Sequence, residues 1–317
     1  MSDVLFIKTS SLGDVIHHMP ALTEARRHCP QVRFSWVVEE AFAPLASLHP
    51  AVAEVIPVAS RRWRKALTGP ATLREILEFR RQLRQRAYAE VIDTQGLLRT
   101  GLIAWFARGR RHGYDAASIR EPLASRFYDM RHAVSRSQHA VARNRSLTAA
   151  ALGYQVSGDI DYGLDRAALA QGGDTRTAIL LHATAQRGKE WREDDWIAVG
   201  RALVARGLTP LLPWGADAER QRAERLAAQI SGAQVPARRP LDQVARAIAG
   251  ARLVVGVDTG LLHLAAALAV PLVAIFCGSE PGLTGPRGTG PITTLGGKGA
   301  PPSAAEVLAA LERYEPK

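Results

Sequence analysis

Cysteine is scarce in this chain, with two in 317 residues, Cys29 and Cys277. They lie far apart, and neither falls in a spacing typical of metal or redox sites. The sequence therefore excludes a disulfide scaffold and a cysteine-based zinc site, and it favours a reducing compartment.

Long uninterrupted apolar runs are also missing. The most apolar stretch, residues 253–276, contains Asp258, His263 and Pro271, so it does not predict a transmembrane helix. Met1-Ser2-Asp3 leads directly into a strand-like segment, without the pattern of a signal peptide. We therefore expect a cytoplasmic protein that at most touches a membrane surface.

Two common nucleotide-binding signatures are absent as well. No G-x-G-x-x-G follows the first predicted strand and no P-loop is present, which disfavours a nicotinamide oxidoreductase and a P-loop NTPase. Aromatic residues make up 6% of the chain, and the basic segments lack the regular aromatic spacing used for base stacking. A basic nucleic-acid-binding module is thus the weaker alternative, and we expect no nucleic-acid partner.

Positive charge is abundant and unevenly placed. The formal net charge is +11, and residues 61–111 hold thirteen Lys or Arg against four Asp or Glu. Such a concentration either forms a solvated basic face or meets an anionic ligand. Its first part is a cluster around Trp63, which we call the basic cluster: Arg61, Arg62, Arg64 and Lys65.

Apolar strand-like runs alternate with helix-like segments along both halves of the chain. This alternation predicts an α/β fold with two Rossmann-like, doubly wound domains that face a central cleft. A glycine-spaced stretch from Gly153 to Gly173 is the predicted linker. Among the single elements, we expect a first helix that starts near Val15, a helix over residues 119–127, a strand over Leu272–Phe276 and an irregular loop over residues 277–302. We place the domains at residues 1–158 and 174–302, followed by a C-terminal helical segment at 303–317. Ligands are expected at the carboxyl ends of the strands.

The strongest local pattern is a buried strand, Leu253–Val257, followed by Asp258-Thr259-Gly260 and an Ala/Leu-rich helix that contains His263. The first N–H groups of a helix have no partner within it, so this turn can bind an anion. Two simpler interpretations stay open, namely that Asp258 only caps the helix and that His263 is a core histidine.

Two other predicted strand ends carry polar side chains, Lys189 after one strand and Glu219 after the next. A lysine, a helix N-terminus with a hydroxyl and a carboxylate together suit a nucleoside diphosphate. Taken singly, Lys189 could be a solvated loop residue, and Glu219 could merely interact with the helix dipole.

The sequence resembles the bacterial lipopolysaccharide heptosyltransferases, glycosyltransferase family 9. The matching motifs cover nearly the whole chain in family order. In the first half they are Lys8–Asp14, Trp36–Glu40, Arg61–Lys65, Asp93–Leu97 and Arg120–Ser125; in the second half they are Leu181–Thr184, Lys189–Trp191, Leu212–Ala216 and Val257–Leu261. The basic cluster and the Arg120–Ser125 run favour the type I branch over type II relatives. A type II-like enzyme and a nucleotide-sugar epimerase are the alternatives on the same architecture.

The resemblance implies the GT-B fold and an inverting, metal-independent sugar transfer without a cofactor. The implied donor is ADP-heptose, carrying L-glycero-D-manno-heptose. The implied acceptor is a Kdo residue of Kdo2-lipid A in the lipopolysaccharide inner core. It also implies a cytoplasmic enzyme peripheral to the cytoplasmic face of the inner membrane.

The resemblance also assigns individual residues. Asp14 matches the catalytic base; a carboxylate with an ordinary pKa of about 3.9 is ionised at neutral pH and can accept a proton. The alternative for Asp14 is a helix cap. The implied donor-binding residues are Thr184, Lys189, Glu219, Asp258, Thr259, Gly260 and His263. The implied acceptor-binding residues are Arg61, Arg62, Arg64, Lys65 and Arg120.

The chain departs from the family pattern at two places. The family often has a second hydroxyl after the threonine, where this chain has Ala185. The loop that contains Arg239 also differs, so the motifs do not identify the adenine contacts.

Overall fold

The computed structural model describes residues 2–66, 69–172, 175–184 and 186–314. The chain divides into two compact units, Met1–Gly163 and Leu164–Lys317. This division falls within the stretch 153–173 that the sequence indicates as a linker. Our finer boundaries, 1–158, 174–302 and 303–317, remain predictions, and Asp174, residues 315–317 and Ala185 lie outside the described residues.

The first unit is built on a six-stranded sheet in which every pair of neighbours is parallel. Its strands are β1 (Asp3–Ile7), β2 (Arg33–Glu39), β3 (Val52–Val58), β4 (Ala87–Asp93), β5 (Arg108–Tyr114) and β6 (Met130–His132). Their order is β3-β2-β1-β4-β5-β6, so the direction of winding reverses between β1 and β4. In such sheets, ligands bind outside the carboxyl ends of the strands at the reversal.

Six α-helices accompany this sheet in the part of the unit that the structure describes. They are α1 (Leu12–His28), α2 (Ala43–Ala46), α3 (Ser60–Trp63), α4 (Pro70–Arg84), α5 (Leu98–Phe106) and α6 (Ala140–Leu152). The 3₁₀ helices cover Glu40–Phe42 and Pro122–Phe127. Almost all residues of β1 and β2 are buried, as expected for parallel strands covered on both faces.

Three details of the first unit differ from the sequence expectation. Helix α1 begins at Leu12, three residues before the expected start near Val15, because Ser11 serves as its N-cap. The helix expected over residues 119–127 is a 3₁₀ helix limited to Pro122–Phe127. Strands β5 and β6 were not expected, because Arg108-Gly109-Arg110-Arg111 and Met130-Arg131-His132 lack the apolar runs that mark inner strands.

A buried ion pair ties α1 to α6. Arg145 Nε donates to Glu24 Oε2 (2.9 Å), and Arg145 Nη2 donates to Glu24 Oε1 (3.2 Å). The Ser157 backbone N–H also donates to Glu24 Oε1 (2.7 Å), and both side chains of the pair are less than 10% exposed.

We expect Glu24→Gln to lower the free energy of unfolding by about 3–5 kcal/mol, because it leaves the Arg145 guanidinium buried without its counter-charge. Urea unfolding followed by circular dichroism measures this change. The matched control is Arg27→Gln, since the Arg27–Asp161 pair is largely exposed and its loss should change stability by less than about 1 kcal/mol. Equal effects of the two substitutions would contradict a special role for the buried pair.

The second unit contains a five-stranded parallel sheet in the order β11-β10-β9-β7-β8. Its strands are β7 (Thr177–Leu181), β8 (Thr209–Leu211), β9 (Leu253–Val257), β10 (Leu272–Phe276) and β11 (Ile292–Gly296). Winding reverses between β7 and β9. Strand β11 corrects our expectation of an irregular loop over residues 277–302; its Thr-Thr-Leu pattern lies between glycines and is only partly buried at the sheet edge.

The helices of the second unit are α7 (Arg166–Leu169), α8 (Glu193–Ala205), α9 (Asp217–Gln229), α10 (Leu241–Gly250), α11 (Gly260–Ala267) and α12 (Ala304–Leu311). Trp191 and Trp196 meet edge to face in the core, with ring centroids 5.1 Å apart. Trp191 Nε1 donates to the Pro302 carbonyl (2.7 Å), which anchors the chain just beyond Lys189. The predicted fold class, α/β with parallel sheets in both halves, is confirmed. No helix within the described residues is long and apolar enough to cross a membrane.

Candidate active site

In the second unit, the loops after β7 and β9 lie side by side, because these strands are neighbours in the sheet. The first loop carries Thr184 and Lys189, and the second carries Asp258, Thr259 and Gly260. All five are predicted site residues, and they meet at the winding reversal of this sheet. The structure therefore brings together groups that lie about seventy residues apart in the chain.

Asp258 is the centre of this group. Its Oδ2 accepts hydrogen bonds from Lys189 Nζ (2.6 Å) and Ser279 Oγ (2.5 Å), and its backbone carbonyl accepts one from Thr184 Oγ1 (3.2 Å). Burial acts to raise the pKa of this carboxyl, but the hydrogen bonds from Lys189 and Ser279 and the lysine charge bring the pKa below its ordinary value. Asp258 therefore stays ionised at neutral pH and holds the Lys189 ammonium at the end of the sheet.

Helix α11 starts directly after this group. Thr259, not Asp258, is its N-cap residue, and the Thr259 hydroxyl makes no capping hydrogen bond. The hydroxyl and the first N–H groups of the helix are thus available to an anion. His263 is buried in the first turn, with Nε2 3.9 Å from Asp258 Oδ1.

Glu219 lies after β8, the strand beside β7, in the first turn of α9. Its Oε2 accepts hydrogen bonds from the backbone N–H groups of Gly215 (2.7 Å) and Ala216 (3.2 Å). These contacts are those of a residue that caps its own helix, and its place in the first turn also fits the simpler interpretation of an interaction with the helix dipole. The second carboxylate oxygen, Oε1, accepts no hydrogen bond among the described residues.

A small apolar recess opens beside β8. Pro213, Trp214, Pro236 and Arg239 contribute to its walls, and Trp214 Nε1 donates to the Pro236 carbonyl (2.8 Å). Flat apolar walls next to a phosphate-type site suit a nucleobase.

Ser279 was missed by sequence reasoning. It follows β10, so the rule that polar residues at strand ends form sites could have identified it. The glycines and prolines of residues 277–302 instead favoured an irregular loop.

In the first unit, Asp14 lies at the third position of α1, directly after the loop that follows β1. We call the segment from Lys8 to Asp14 the Asp14 loop. Its Oδ2 accepts hydrogen bonds from the Ser11 backbone N–H (2.7 Å) and the Ser11 hydroxyl (3.2 Å). Its Oδ1 accepts no hydrogen bond from any residue that the structure describes. Asp14 therefore caps the helix through Oδ2, and Oδ1 is left able to accept a proton.

The loop after β4 adds residues that the sequence did not identify as site residues. Gln95 Oε1 accepts hydrogen bonds from the backbone N–H groups of Thr9 (3.2 Å) and Ser10 (3.1 Å), which holds the Asp14 loop. Arg99 Nη2 donates to Ser10 Oγ (2.6 Å). A short run such as Asp93–Leu97 indicates a loop but cannot show which side chains bridge to another one.

Lys8, directly after β1, connects the Asp14 loop to the loop after β4 and to helix α6. Its Nζ donates to the Thr94 carbonyl (2.9 Å) and to Asn144 Oδ1 (3.3 Å), and the residue is buried. Burial lowers the pKa of Lys8, while the negative charges of Asp14 and Asp93 partly oppose this shift. Lys8 is therefore a structural support of the Asp14 loop.

The residues of the basic cluster differ in whether their charges already have partners within the protein. Arg62 forms ion pairs with Glu40 (3.2 Å) and Glu75 (2.8 Å), and the Arg61 guanidinium lies over the Phe42 ring at 5.0 Å. Arg64 and Lys65 are exposed and form no ion pair within the described parts of the chain. Their charges are available to a ligand, whereas that of Arg62 is already neutralised.

Two carboxylates hold this cluster in place. Glu39 is buried and accepts hydrogen bonds from Ser60 Oγ (2.6 Å) and the Arg61 backbone N–H (2.9 Å), which fixes the start of α3. Glu75 accepts one from Trp63 Nε1 (2.7 Å). Because Glu39 is the last residue of β2, these contacts place the cluster at the carboxyl edge of the first sheet.

Arg120 is exposed and precedes the 3₁₀ helix Pro122–Phe127. Its neighbour Glu121 fixes the segment against the loop after β4, since the Leu98 backbone N–H donates to Glu121 Oε2 (2.7 Å). Arg120 therefore belongs to the same edge of the sheet as Asp14.

Two parallel α/β units, each with polar groups at its winding reversal, are typical of the GT-B glycosyltransferases. The model of glycosyltransferase family 9 (heptosyltransferase) matches residues 76–301, and the chain belongs to that family. The resemblance seen in the sequence motifs is thus confirmed, and the protein is a glycosyltransferase.

Three individual comparisons are close. Lipopolysaccharide heptosyltransferase 1 of Pseudomonas aeruginosa is 48% identical over 291 residues, which cover 90% of this chain and 81% of that protein. The structure of Escherichia coli heptosyltransferase WaaC with ADP is 41% identical, with a TM-score of 0.92 and coverage of 99% of this chain and 100% of that one. The same enzyme with ADP-2-deoxy-2-fluoro heptose is 40% identical, with a TM-score of 0.89 and the same coverage.

Proposed function

We propose that this protein transfers L-glycero-D-manno-heptose from ADP-heptose to a Kdo residue of Kdo2-lipid A, in the synthesis of the lipopolysaccharide inner core. The observation that carries the proposal is the similarity over 99% of the chain to an enzyme whose structures contain ADP and an ADP-heptose analogue. The enzyme would work in the cytoplasm, at the cytoplasmic face of the inner membrane. No cofactor and no metal ion are part of this proposal.

In the proposed reaction, Asp14 Oδ1 accepts the proton of the acceptor hydroxyl. The oxygen of the acceptor hydroxyl attacks the anomeric carbon of the heptose, and the bond from this carbon to the diphosphate breaks. The electron pair of the broken bond leaves with ADP. A single displacement of this kind inverts the configuration at the anomeric carbon. The cap from Ser11 to Asp14 Oδ2 holds the carboxylate in position throughout.

The second unit stabilises the leaving group. Negative charge grows on the diphosphate as the bond breaks, and in this proposal Lys189, the Thr259 hydroxyl and the first N–H groups of α11 stabilise that charge. The lysine ammonium has three donors, so it can keep its bond to Asp258 while it contacts phosphate. We assign the adenine base to the recess beside Trp214 and Arg239.

The donor assignment predicts nucleotide selectivity. We expect ADP and ADP-heptose to raise the melting temperature by several degrees at saturating concentration, and UDP or NAD to raise it much less. Thermal unfolding with each ligand measures this directly. Release of ADP from ADP-heptose should in turn require Kdo2-lipid A. Stabilisation by UDP alone, or ADP release without heptosylated product, would contradict the proposal.

Because Arg64 and Lys65 lack ion-pair partners in the described residues, replacing them should raise the acceptor KM more than replacing Arg62. The double variant Arg64→Gln/Lys65→Gln should raise the KM for Kdo2-lipid A by about tenfold at low salt, since two charges are lost that can meet phosphate or carboxylate. Donor affinity should stay unchanged, and added salt should reduce the difference from the wild type.

Arg62→Gln serves as the comparison, because Arg62 is already paired with two glutamates. Its effect on acceptor KM should be smaller than that of the double variant, while stability falls slightly. A double variant with normal acceptor KM at low salt would return Arg64 and Lys65 to a solvated basic face.

A further inference from the structure

Six of the nine large apolar side chains that are strongly exposed in the described residues lie together on the first unit. They belong to α4, to α5 and to the 3₁₀ helix after β5, and each is 41–58% exposed: Leu73, Leu77, Leu98, Leu102, Trp105 and Leu123. We call this surface the α4–α5 face. Single exposed apolar side chains are ordinary on a soluble protein, but a group of six on three neighbouring elements marks an interaction site.

The spacing of these residues shows that they form true faces of their helices. Leu98, Leu102 and Trp105 follow one another at i, i+4 and i+7 along α5, whereas Ile103 and Ala104 are buried on its other side. On α4, Leu73 and Leu77 are likewise one turn apart.

The elements that carry the face are in contact with one another. The Arg80 guanidinium of α4 lies over the Phe106 ring of α5 at 5.5 Å. A Cβ on Gly101 of α5 would lie 2.7 Å from the Phe127 ring, so the 3₁₀ helix that carries Leu123 packs closely on α5. The apolar side chains are therefore displayed on one continuous support.

Arginines border this face. Besides Arg80 they are Arg74, Arg81, Arg84 and Arg126, all exposed. None of the five forms an ion pair with a carboxylate within the residues that the structure describes. Of the two glutamates of α4, Glu75 is already used by Arg62 and Trp63, and the exposed Glu78 leaves the arginines in excess by five charges to one. An occupant of this face must therefore combine an apolar phase with negative charge.

We propose that the α4–α5 face docks the protein directly onto the surface of a bilayer that contains anionic lipids. Leucine and tryptophan side chains enter the boundary between headgroups and acyl chains, and the arginines bind lipid phosphates. This inference rests on the proposed function and goes beyond it, because it names the surface that touches the membrane and makes contact independent of the acceptor.

The α4–α5 face lies close to the residues around Asp14, so docking would bring the bilayer near the proposed acceptor site. Leu98 begins α5 directly after the loop that holds Asp14 through Gln95, and Arg99 in the first turn donates to Ser10. A bilayer on this face therefore lies next to the carboxyl edge of the first sheet. A lipid-anchored acceptor can then present its sugars to Asp14 without leaving the bilayer.

The first test is co-sedimentation with vesicles that contain no acceptor. Wild-type protein should bind vesicles of phosphatidylethanolamine and phosphatidylglycerol, bind pure phosphatidylcholine much less, and lose affinity as salt rises. The variant Leu102→Gln/Trp105→Gln should bind the anionic vesicles at least tenfold more weakly. Val156→Gln is the matched control, because Val156 is exposed on the same unit and lies outside the face; it should bind like the wild type.

Trp105 supplies a second readout. It is 53% exposed, whereas the other five tryptophans are buried or half-buried. Vesicles with brominated acyl chains should quench tryptophan emission in the wild type and lose most of this effect in Trp105→Phe.

Three results would overturn the docking proposal. In the first, the wild-type protein binds only vesicles that contain the acceptor. In the second, the double variant binds anionic vesicles as well as the wild type does. In the third, the wild type is a dimer and the double variant is a monomer. The last result would assign the face to a second copy of the chain. With a water-soluble Kdo acceptor that lacks acyl chains, the double variant should keep the wild-type kcat/KM. Absence of transfer by the wild type would instead refute the proposed function and leave the vesicle result standing.

Discussion

Replacing Asp14 with asparagine is expected to lower kcat by on the order of 10²–10⁴, the usual contribution of a positioned general base. The amide oxygen of asparagine can still accept the hydrogen bond from the Ser11 backbone N–H, so the cap of α1 is kept. What the variant loses is an oxygen that can take a proton from the acceptor hydroxyl. Donor affinity should hardly change, because no donor-binding residue is assigned to the first unit.

A comparison with Asp14→Ala separates catalysis from capping. Alanine removes both roles and should also cost about 1 kcal/mol of stability through the lost cap. Single-turnover kinetics at saturating donor, together with thermal unfolding, distinguish the two variants. A well-folded Asp14→Asn enzyme with wild-type turnover would remove Asp14 from the mechanism and leave it as a helix cap.

The strands that are buried along most of their length could be predicted from the sequence, because a strand buried on both faces is apolar and rich in β-branched residues. Leu253–Val257 and Leu272–Phe276 have the predicted bounds. Strand β5 could not be predicted, although it lies between β4 and β6. Its Arg110 and Arg111 are compensated by Glu90 and Asp129 from other parts of the chain. Such compensation depends on tertiary contacts that a local pattern does not contain.

The same limit applies to the candidate sites. Residues at strand ends, such as Lys189 and Asp258, were found because a parallel sheet brings its carboxyl ends to one edge. Ser279 and Gln95 act through hydrogen bonds to other loops, and these bonds are visible only after folding. The neutralisation of Arg62 by Glu40 and Glu75 likewise depends on how α3 packs against its neighbours.

Replacing Lys189 with methionine is expected to weaken ADP binding by on the order of 10²-fold, about 3 kcal/mol, as for loss of a hydrogen bond to a charged group. Adenosine should lose far less, since it has no diphosphate. The loss has a second cause, because the Asp258 carboxylate would then face the diphosphate without the lysine charge that compensates it. Isothermal titration calorimetry with ADP and adenosine separates the phosphate contribution from that of the nucleoside.

The contribution of the Asp258 charge can be measured separately. Adding Asp258→Asn to Lys189→Met removes the uncompensated negative charge, so the double variant should recover part of the lost ADP affinity. Thr259→Ala removes one neutral donor and should cost only about tenfold. Lys298→Met is the matched control, an exposed lysine of the same unit, and it should leave both affinities unchanged. Equal losses for ADP and adenosine in Lys189→Met would show that Lys189 does not contact the diphosphate.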